Sequence, residues 1–354
     1  MKAALCTRNL FLILLLFVSG MVYSQKKPNV TILATGGTIA GAAGSGVQSG
    51  YTSGQVTIDA MVNAVPDVMK IATIKGEQVS NVGSQDMSFD IMLKLAQRIN
   101  ALAKSSDVDG IVITHGTDTM EETAYFLNLV AKTDKPVVLV GSMRPSTAVS
   151  ADGPLNLYNA IAVAADPNAK GRGVLLVMND WIHSAQSLTK VSTTAVQTFM
   201  SPIRGLIGTT AYGVSEYYRY PNSKFGPKSE FNVEGVSQLP RVDILYADVD
   251  MPADLVDASV EHGAKGIVIA GVGNGNMPKA VLDACGRATK KGVVVVRSSR
   301  VATGNVGRNV EVNDDELGTV ASLDLNPQKS RILLSVALLK SRKPEEIQKL
   351  FGEY

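Results

Sequence analysis

Cysteine is scarce in this chain of 354 residues, which contains only Cys6 and Cys285. Cys6 lies in an N-terminal segment with the features of an export signal, so only Cys285 would remain in the mature protein. One cysteine cannot form an intrachain disulfide, which excludes a disulfide-stapled scaffold, and we interpret Cys285 as a core residue. The three histidines, His115, His183 and His262, are scattered along the chain and show no zinc-ligand spacing.

An excess of charge of one sign is also absent. The chain has 34 basic and 32 acidic residues, and the loss of Lys2 and Arg8 with the export signal would leave 32 of each. A nucleic-acid surface requires clustered basic charge, so the composition does not favour one. Tryptophan occurs once, at Trp181, which argues against aromatic platforms that stack on bases.

The motifs of several common enzyme classes are missing as well. The sequence has no G-x-S-x-G turn of serine hydrolases and no Walker-type phosphate loop, and no G-x-G-x-x-G fingerprint follows the first predicted strand. What remains is nucleophilic chemistry by hydroxyl groups, with carboxylate and ammonium groups nearby.

Long hydrophobic runs are missing too, and this bears on the N-terminus. The apolar run at residues 10–18 is too short to span a bilayer comfortably, and no other segment has transmembrane character. It follows Lys2 and Arg8 and precedes Val22 and Ser24, which suit the positions before a cleavage site. We therefore predict a secretory signal over residues 1–24 and an exported protein, periplasmic if the source is Gram-negative. A retained N-terminal anchor is the alternative.

Alternating strand and helix patterns predict the fold class. Apolar β-branched runs predict strands, and periodic segments between them predict helices, of which the one at residues 88–103 has Ser88 as its N-cap. The predicted strands cover residues 30–34, 110–114, 136–140 and 174–178, and the predicted helices cover residues 57–65, 88–103, 121–131 and 155–165. Such alternation is typical of a mostly parallel sheet with helices on both faces.

The mature chain is long enough for two domains. The alternation breaks over residues 214–240, where tyrosine, proline and glycine occur among polar residues, and it then resumes on a smaller scale. We therefore predict a larger N-terminal catalytic α/β domain, a linker, and a smaller C-terminal parallel α/β domain. Their predicted limits are residues 25–213, 214–240 and 241–354. In the C-terminal part the predicted strands are 242–246, 266–270 and 293–297, and the predicted helices are 255–262, 278–288 and 327–340.

Two hydroxyl-rich turns follow predicted strands, at residues 35–40 (TGGTIA) and 114–119 (THGTDT). Ligands of α/β sheets bind at the carboxyl ends of the strands, so both turns lie where a site is expected. Gly37 permits a tight bend whose amides can form a nest for a developing oxyanion, with the Thr38 hydroxyl beside them. The alternative is a plain strand–turn–helix in which Thr38 is only an N-cap.

A threonine hydroxyl is a poor nucleophile unless another group takes its proton. Tyr51, on a Gly/Ser-rich segment that could close as a lid, can relay a proton, and Lys190 could serve Thr117 as a base if it lies partly buried beside Asp118. A surface tyrosine, a solvated lysine and a capping Asp118 are the alternatives. The adjacent Glu121 has a structural explanation, because a helix dipole favours acidic residues in the first turn.

Taken together, these segments resemble the bacterial type II L-asparaginases, exported amidohydrolases that include glutaminase-asparaginases. The resemblance extends from about residue 29 to the C-terminus. It is carried by the motifs at residues 34–40, 83–87, 114–123, 143–146, 270–276 and 297–300. It implies a homotetramer built from two tight dimers, with each active site at a subunit interface and without a cofactor.

The resemblance implies catalytic roles for two groups of residues. Thr38 matches the primary nucleophile, and Tyr51 matches its proton partner on a flexible lid. Thr117, Asp118 and Lys190 match a second group that is assigned to activating the attacking species. How the work is divided between the two groups is left open.

The resemblance also implies substrate-binding roles. Ser84, Gln85 and Asp118 match residues that hold the α-carboxylate and α-ammonium groups of the substrate. Asn274 and Glu311 match residues that a neighbouring subunit contributes from its C-terminal domain. Some exported members carry an intrachain disulfide, which this chain cannot form.

The function implied is hydrolysis of L-asparagine to L-aspartate and ammonia, with lesser activity on L-glutamine. Thr38 would attack the side-chain amide carbon, and backbone amides around Gly37 and Thr117 would stabilise the oxyanion before water opens the acyl-enzyme. A dual glutaminase-asparaginase stays open, because one methylene is usually worth only about 1–3 kcal/mol. The further alternatives are the asparaginase-like subunit of a tRNA-dependent amidotransferase and an amino-acid-binding protein without turnover.

Overall fold

The N-terminal part of the chain is built around one large mixed sheet in the computed structural model, which describes residues 26–47, 52 and 54–354. The predicted signal at residues 1–24 lies outside these ranges, and so does Tyr51. The strands of this part are β1 (Asn29–Gly36), β2 (Thr73–Val82), β3 (Gly110–Thr114), β4 (Val137–Val140), β5 (Val174–Met178), β6 (Trp181–Ser184), β7 (Thr189–Lys190), β8 (Phe199–Met200), β9 (Gly208–Ala211) and β10 (Val214–Tyr217).

The large sheet is mostly parallel. Its strand order is β10-β9-β6-β5-β4-β3-β1-β2, while β7 and β8 form a separate two-stranded ribbon. Strands β1 to β5 run parallel, whereas β6, β9 and β10 are antiparallel to their neighbours. The predicted α/β class with a mostly parallel sheet is therefore confirmed.

Helices cover both faces of this sheet because successive side chains of a strand point to opposite faces. Ile111 of β3 joins the apolar cluster that contains helix Met120–Val130, and the next residue, Val112, joins the cluster that contains helix Gly153–Ala165. The α-helices of this part are Ile58–Asn63, Val68–Ile71, Phe89–Ala103, Met120–Val130 and Gly153–Ala165, and short 3-10 helices cover Thr38–Ala40, Ser84–Asp86, Pro167–Ala169 and Gly226–Lys228.

A second, smaller sheet organises the C-terminal part. Its strands are β11 (Val242–Tyr246), β12 (Gly266–Gly271), β13 (Val294–Ser299) and β14 (Thr319–Ala321). They lie in sequence order and are all parallel, as predicted. The α-helices of this part are Asp254–Glu261, Lys279–Lys290, Asp314–Leu317, Pro327–Ala337 and Pro344–Glu353.

One helix of the C-terminal part also contacts the N-terminal part. Helix Pro327–Ala337 packs on β11, β12 and β13 and also on helix Met120–Val130. Its buried residues Ile332 and Leu333 belong to the same apolar cluster as Leu33 of β1 and Val268 of β12. The two sheets are therefore linked by one continuous apolar core.

Several local predictions can be compared with the structure. Ser88 caps helix Phe89–Ala103 as predicted, because its side chain accepts a hydrogen bond from the amide of Ile91 at 3.3 Å. Cys285 is buried. Residues Val214–Tyr217, at the start of the predicted linker, form strand β10 and pair with β9 of the large sheet. The domain limits themselves stay a prediction. Over the described ranges, no helix combines the length and apolar character needed to cross a bilayer.

Candidate active site

The topology of the large sheet creates a crevice between β1 and β3. From β1 the chain continues to β2 on one side, whereas from β3 it continues to β4 on the other side. At such a switch point the connections diverge, and ligands bind outside the carboxyl ends of the two strands. Both hydroxyl-rich turns follow these strands, Thr38 after β1 and Thr117 after β3.

The two turns touch each other through glycine backbone. Gly37 has a φ of +81°, and a Cβ there would lie 2.3 Å from the amide nitrogen of Gly116. At Gly116, a Cβ would lie 2.6 Å from the hydroxyl oxygen of Ser84, which belongs to the turn after β2. Three turns from three adjacent strands thus converge at one edge of the sheet, and only residues without a side chain allow them to approach so closely.

Thr38 is the first residue of the 3-10 helix Thr38–Ala40, and its side chain is buried, with 6% exposure. The residue that precedes this turn, Gly37, occupies the N-cap position. The alternative in which Thr38 is only an N-cap is therefore wrong. Thr38 therefore begins the 3-10 helix directly after the point where the turns converge.

Thr117, Asp118 and Lys190 form a connected group. The ammonium nitrogen of Lys190 donates to the Thr117 hydroxyl oxygen at 2.9 Å and to a carboxylate oxygen of Asp118 at 2.6 Å. The Lys190 side chain is 16% exposed, whereas that of Asp118 is 60% exposed. The alternative of a solvated lysine is wrong, because Lys190 is mostly buried and bonded to both residues. The alternative of a capping aspartate is also wrong, because Thr119 occupies the N-cap of helix Met120–Val130.

Ser84 connects the turn after β2 to the turn after β3. Its hydroxyl oxygen accepts from the amide of Asp118 at 3.1 Å, and its carbonyl accepts from the Thr119 hydroxyl at 2.7 Å. Gln85 is exposed and donates to Asp86 at 3.3 Å. Ser84 therefore lies inside the constellation, and Gln85 lies at its rim.

The backbone amides differ from the expected arrangement at one position. The amide of Gly37 donates to the carbonyl of Val82 at 3.1 Å, so it is already bonded within the fold. It could reach an oxyanion only if that bond broke. The amide of Thr117 donates to no acceptor in the part of the chain that the structure describes. Thr117 is therefore the better placed of the two predicted oxyanion donors.

Two residues near the site, His115 and Met143, were not predicted from the sequence to have a role. His115 is fully buried, and burial lowers its pKa to about 4, so its ring is neutral at neutral pH. Its Nδ1 lies 2.6 Å from the carbonyl oxygen of Gly116, so Nδ1 carries the proton, and Nε2 accepts from the Thr123 hydroxyl at 2.9 Å. Met143 accepts from the Thr117 hydroxyl at 3.4 Å. His115 and Met143 both lie in motifs that carry the family resemblance, at residues 114–123 and 143–146, and these motifs could have indicated them.

Asn274 and Glu311 belong to the C-terminal part of the chain, in loops that follow β12 and β13 of the smaller sheet. The side-chain oxygen of Asn274 accepts from the amide of Gly307 at 2.8 Å, and Glu311 accepts from Asn276. Among the residues that the structure describes, no hydrogen bond or ion pair joins either residue to the constellation around Thr117. Within one chain, the structure does not bring them together with the other predicted site residues.

Two family models of asparaginase domains match the two parts of the chain. Residues 29–223 match the family model described as "Asparaginase, N-terminal", and residues 241–351 match "Glutaminase/Asparaginase C-terminal domain". The chain belongs to the L-asparaginase family. The resemblance predicted from its motifs is confirmed, and an amino-acid-binding protein without turnover does not fit this assignment, because L-asparaginases are enzymes.

Individual L-asparaginases are similar over nearly their whole length. The "Probable L-asparaginase periplasmic" of Haemophilus influenzae is 53% identical over 355 residues, covering 100% of this chain and 99% of that protein. "L-asparaginase 2" of Escherichia coli is 52% identical and covers 92% and 93%. A crystal structure of a probable cytoplasmic L-asparaginase from Campylobacter jejuni has a TM-score of 0.90 at 46% identity and covers 93% and 100%.

Proposed function

We propose that this protein hydrolyses L-asparagine to L-aspartate and ammonia, with Thr38 as the nucleophile. The observation that supports the proposal is the contact between the turns after β1 and β3, because Thr38 follows Gly37 in one turn and Thr117 follows Gly116 in the other, where it is bonded to Lys190. In the proposed reaction the Thr38 oxygen bonds to the side-chain amide carbon. The C–N bond then breaks, ammonia leaves with the hydroxyl proton, and water opens the ester to release aspartate.

The second group, formed by Thr117, Asp118 and Lys190, would carry the proton of the attacking species. Lys190 holds the Thr117 hydroxyl oxygen at 2.9 Å, and its charge is balanced by Asp118. We propose that this group transfers the proton of the attacking species, and that the Thr117 amide donates to the oxyanion as negative charge develops. Tyr51 would relay the proton of Thr38, and that role stays a prediction because Tyr51 lies outside the described residues.

The substrate's two charged ends have matching groups at the site. Lys190 donates to one carboxylate oxygen of Asp118. The Asp118 side chain is exposed, and its other oxygen would accept from the α-ammonium group of the substrate. The Ser84 hydroxyl oxygen accepts from an amide, which leaves its proton to donate to the α-carboxylate, assisted by Gln85 at the rim. Asn274 and Glu311 would complete the site from the neighbouring subunit of a homotetramer.

The proposal is tested by Thr38→Ala, with Thr38→Ser as the matched control. Loss of the nucleophile should lower ammonia release from L-asparagine by about a thousandfold or more, whereas the serine variant keeps a hydroxyl and should retain measurable turnover. Steady-state ammonia assays on both variants measure this. Near-wild-type turnover by Thr38→Ala would exclude Thr38 as the nucleophile.

The share of glutaminase activity is a separate question. "Glutaminase-asparaginase" of Pseudomonas fluorescens biotype A is 48% identical over 331 residues, so a dual specificity is the second candidate. We propose that L-asparagine is preferred and that L-glutamine is a lesser substrate. Comparison of kcat/KM on the two amides tests this, and equal values would favour the dual enzyme.

Export is also proposed. The relative from Haemophilus influenzae is named periplasmic, and the structural relative from Campylobacter jejuni is named cytoplasmic. We propose export of this chain, because residues 1–24 have the composition of a secretory signal. Cell fractionation with N-terminal sequencing of the mature protein tests it.

A further inference from the structure

A buried lysine links the C-terminal part of the chain to the segment that carries Lys190. Lys329 lies in the first turn of helix Pro327–Ala337 and is 2% exposed. Its ammonium nitrogen donates to the carbonyl oxygen of Gln186 at 2.8 Å and also to the carbonyl of Leu188. These two carbonyls lie four and two residues before Lys190.

The segment before Lys190 has little other support from regular structure. Lys190 is the second residue of β7 (Thr189–Lys190), which pairs only with the two residues of β8 (Phe199–Met200). This ribbon is separate from the large sheet. A strand of two residues adds few backbone hydrogen bonds, so side chains that bind the preceding backbone contribute to the position of Lys190, together with the turn in which the Leu188 amide donates to the Ser184 carbonyl.

The surroundings of Lys329 suit a cation that holds backbone carbonyls. The carboxylate of Glu121, itself buried, lies 3.9 Å from the Lys329 ammonium. Gln328 donates to the same carboxylate at 2.6 Å. Asn326, which caps the helix, donates to Glu121 at 3.3 Å and to the Thr189 hydroxyl at 3.4 Å. A buried cation is costly unless it is paired and hydrogen-bonded, and both conditions are met here.

We infer that Lys329 is a positioning residue for Lys190, fixing residues 186–190 from the C-terminal part of the chain so that the Lys190 ammonium reaches Thr117. The inference rests on the proposed function of Lys190. Because displacements of about 1 Å can lower turnover by about a hundredfold, a residue that never touches the substrate can still control the rate. Burial lowers the pKa of Lys329 to about 8, which agrees with its enclosed position.

The test is Lys329→Met, which keeps a long unbranched side chain but removes the donors. We expect kcat on L-asparagine to fall by about ten- to a hundredfold, with KM changed by less than about threefold. The matched control is Leu334→Ala on the same helix. Leu334 is fully buried, packs near Gly266 of β12 and makes no hydrogen bond to residues 186–190 through its side chain. It should lower the unfolding temperature without lowering kcat at a temperature well below unfolding.

A double-mutant cycle with Lys190→Ala separates positioning from general damage. If Lys329 acts through Lys190, the loss caused by Lys329→Met disappears when Lys190 is already absent. If Lys329→Met gives no folded protein, Lys329→Arg takes its place, since it keeps the cation but displaces the carbonyls. The same coupling is expected.

The outcomes distinguish this inference from the proposed function. A large loss in Lys190→Ala, together with an unchanged kcat in Lys329→Met or with losses that multiply in the double variant, would overturn the inference alone. Wild-type kcat in Lys190→Ala would overturn the proposed role of Lys190 and this inference together. A large loss in each single variant with no added loss in the double variant supports both.

Discussion

Burial keeps the imidazole rings of His115 and His183 neutral. Burial lowers the pKa of His115 to about 4, and burial together with the nearby Lys329 cation lowers the pKa of His183 to about 3. Nδ1 of His183 lies 2.8 Å from the Ser201 hydroxyl oxygen, while its Nε2 has no hydrogen-bond partner within the described residues. Neither ring is therefore available as a general base that cycles its proton at neutral pH.

The neutral state of His183 predicts a dependence of stability on pH. Its folded pKa of about 3 lies below the ordinary value of 6.5, so the unfolded chain binds a proton first as the pH falls. The stability that the neutral ring contributes is present above pH 6.5 and is lost between pH 6.5 and about 3. From pH 7 to pH 5 this group should lower the free energy of unfolding by about 2 kcal/mol.

The measurement is urea unfolding at pH 7 and pH 5, at one protein concentration, for the wild type and His183→Asn. The variant should lose less stability on acidification, because it has no imidazole at this position. His115 contributes equally to both proteins, so the difference isolates His183. His262→Asn, at an exposed ring, is the control and should behave as the wild type. Equal losses in the wild type and His183→Asn would contradict the prediction.

At the scale of elements, the site depends on how closely two turns approach each other. The backbone of the turn after β1 contacts the backbone of the turn after β3 at Gly37 and Gly116. Backbone atoms cannot rotate away as a flexible side chain can, so a Cβ at Gly37 would push the two turns apart. The distance between Thr38 and the group around Thr117 would increase with them.

Gly37→Ala is therefore predicted to lower both stability and activity. The substitution combines an unfavourable left-handed backbone with a clash against Gly116, and we expect a loss of unfolding free energy of about 3 kcal/mol or more. Gly171→Ala is the matched control, because Gly171 has a φ of +68° but nothing within 4 Å of an added Cβ. It should cost about 1–2 kcal/mol and leave kcat unchanged. Chemical unfolding and ammonia assays measure both, and equal effects would contradict the predicted contact.

At the scale of the whole molecule, the proposed site is incomplete in one chain. Thr38 and Thr117 lie on the large sheet, while Asn274 and Glu311 lie on the smaller one without a hydrogen bond or ion pair to them in the described residues. If a neighbouring subunit supplies Asn274 and Glu311, two inactive variants can complement each other. A homodimeric interface repeats every contact twice, so each pair of subunits has two equivalent sites.

Subunit mixing tests this arrangement. Thr38→Ala and Glu311→Ala should each have strongly reduced turnover, and co-refolding of equal amounts should restore about a quarter of wild-type activity. Half of randomly formed pairs are mixed, and each mixed pair has one complete site of two. Mixing Thr38→Ala with Thr117→Ala is the control and should restore nothing, because both residues come from the same subunit. Failure of the first mixture to recover activity would place Glu311 outside the neighbour's site.

The sequence could predict elements that depend on local pattern. The strands at Gly110–Thr114 and Val174–Met178 each contain a continuous apolar run, and the Ser88 cap needs only residues three positions apart. The sequence pattern did not predict strand β10, because it is an exposed edge strand without an apolar run. It pairs with β9 through Tyr212 and Gly213, both with positive φ, instead of the Asn-Gly or Asp-Gly pair that usually indicates such a hairpin.

Strand pattern, glycine spacing and motifs are local properties of the chain, so they were enough to predict the α/β class, the two turns that follow β1 and β3, and the family. Three contacts could be seen only in the folded chain: Lys190 binds Thr117 across 73 positions, the Gly37 amide is already bonded to Val82, and Lys329 binds carbonyls of the segment before Lys190. The reason is physical: a proton moves and a cation is held over about 3 Å, and only chain packing sets distances of that size between residues far apart in sequence.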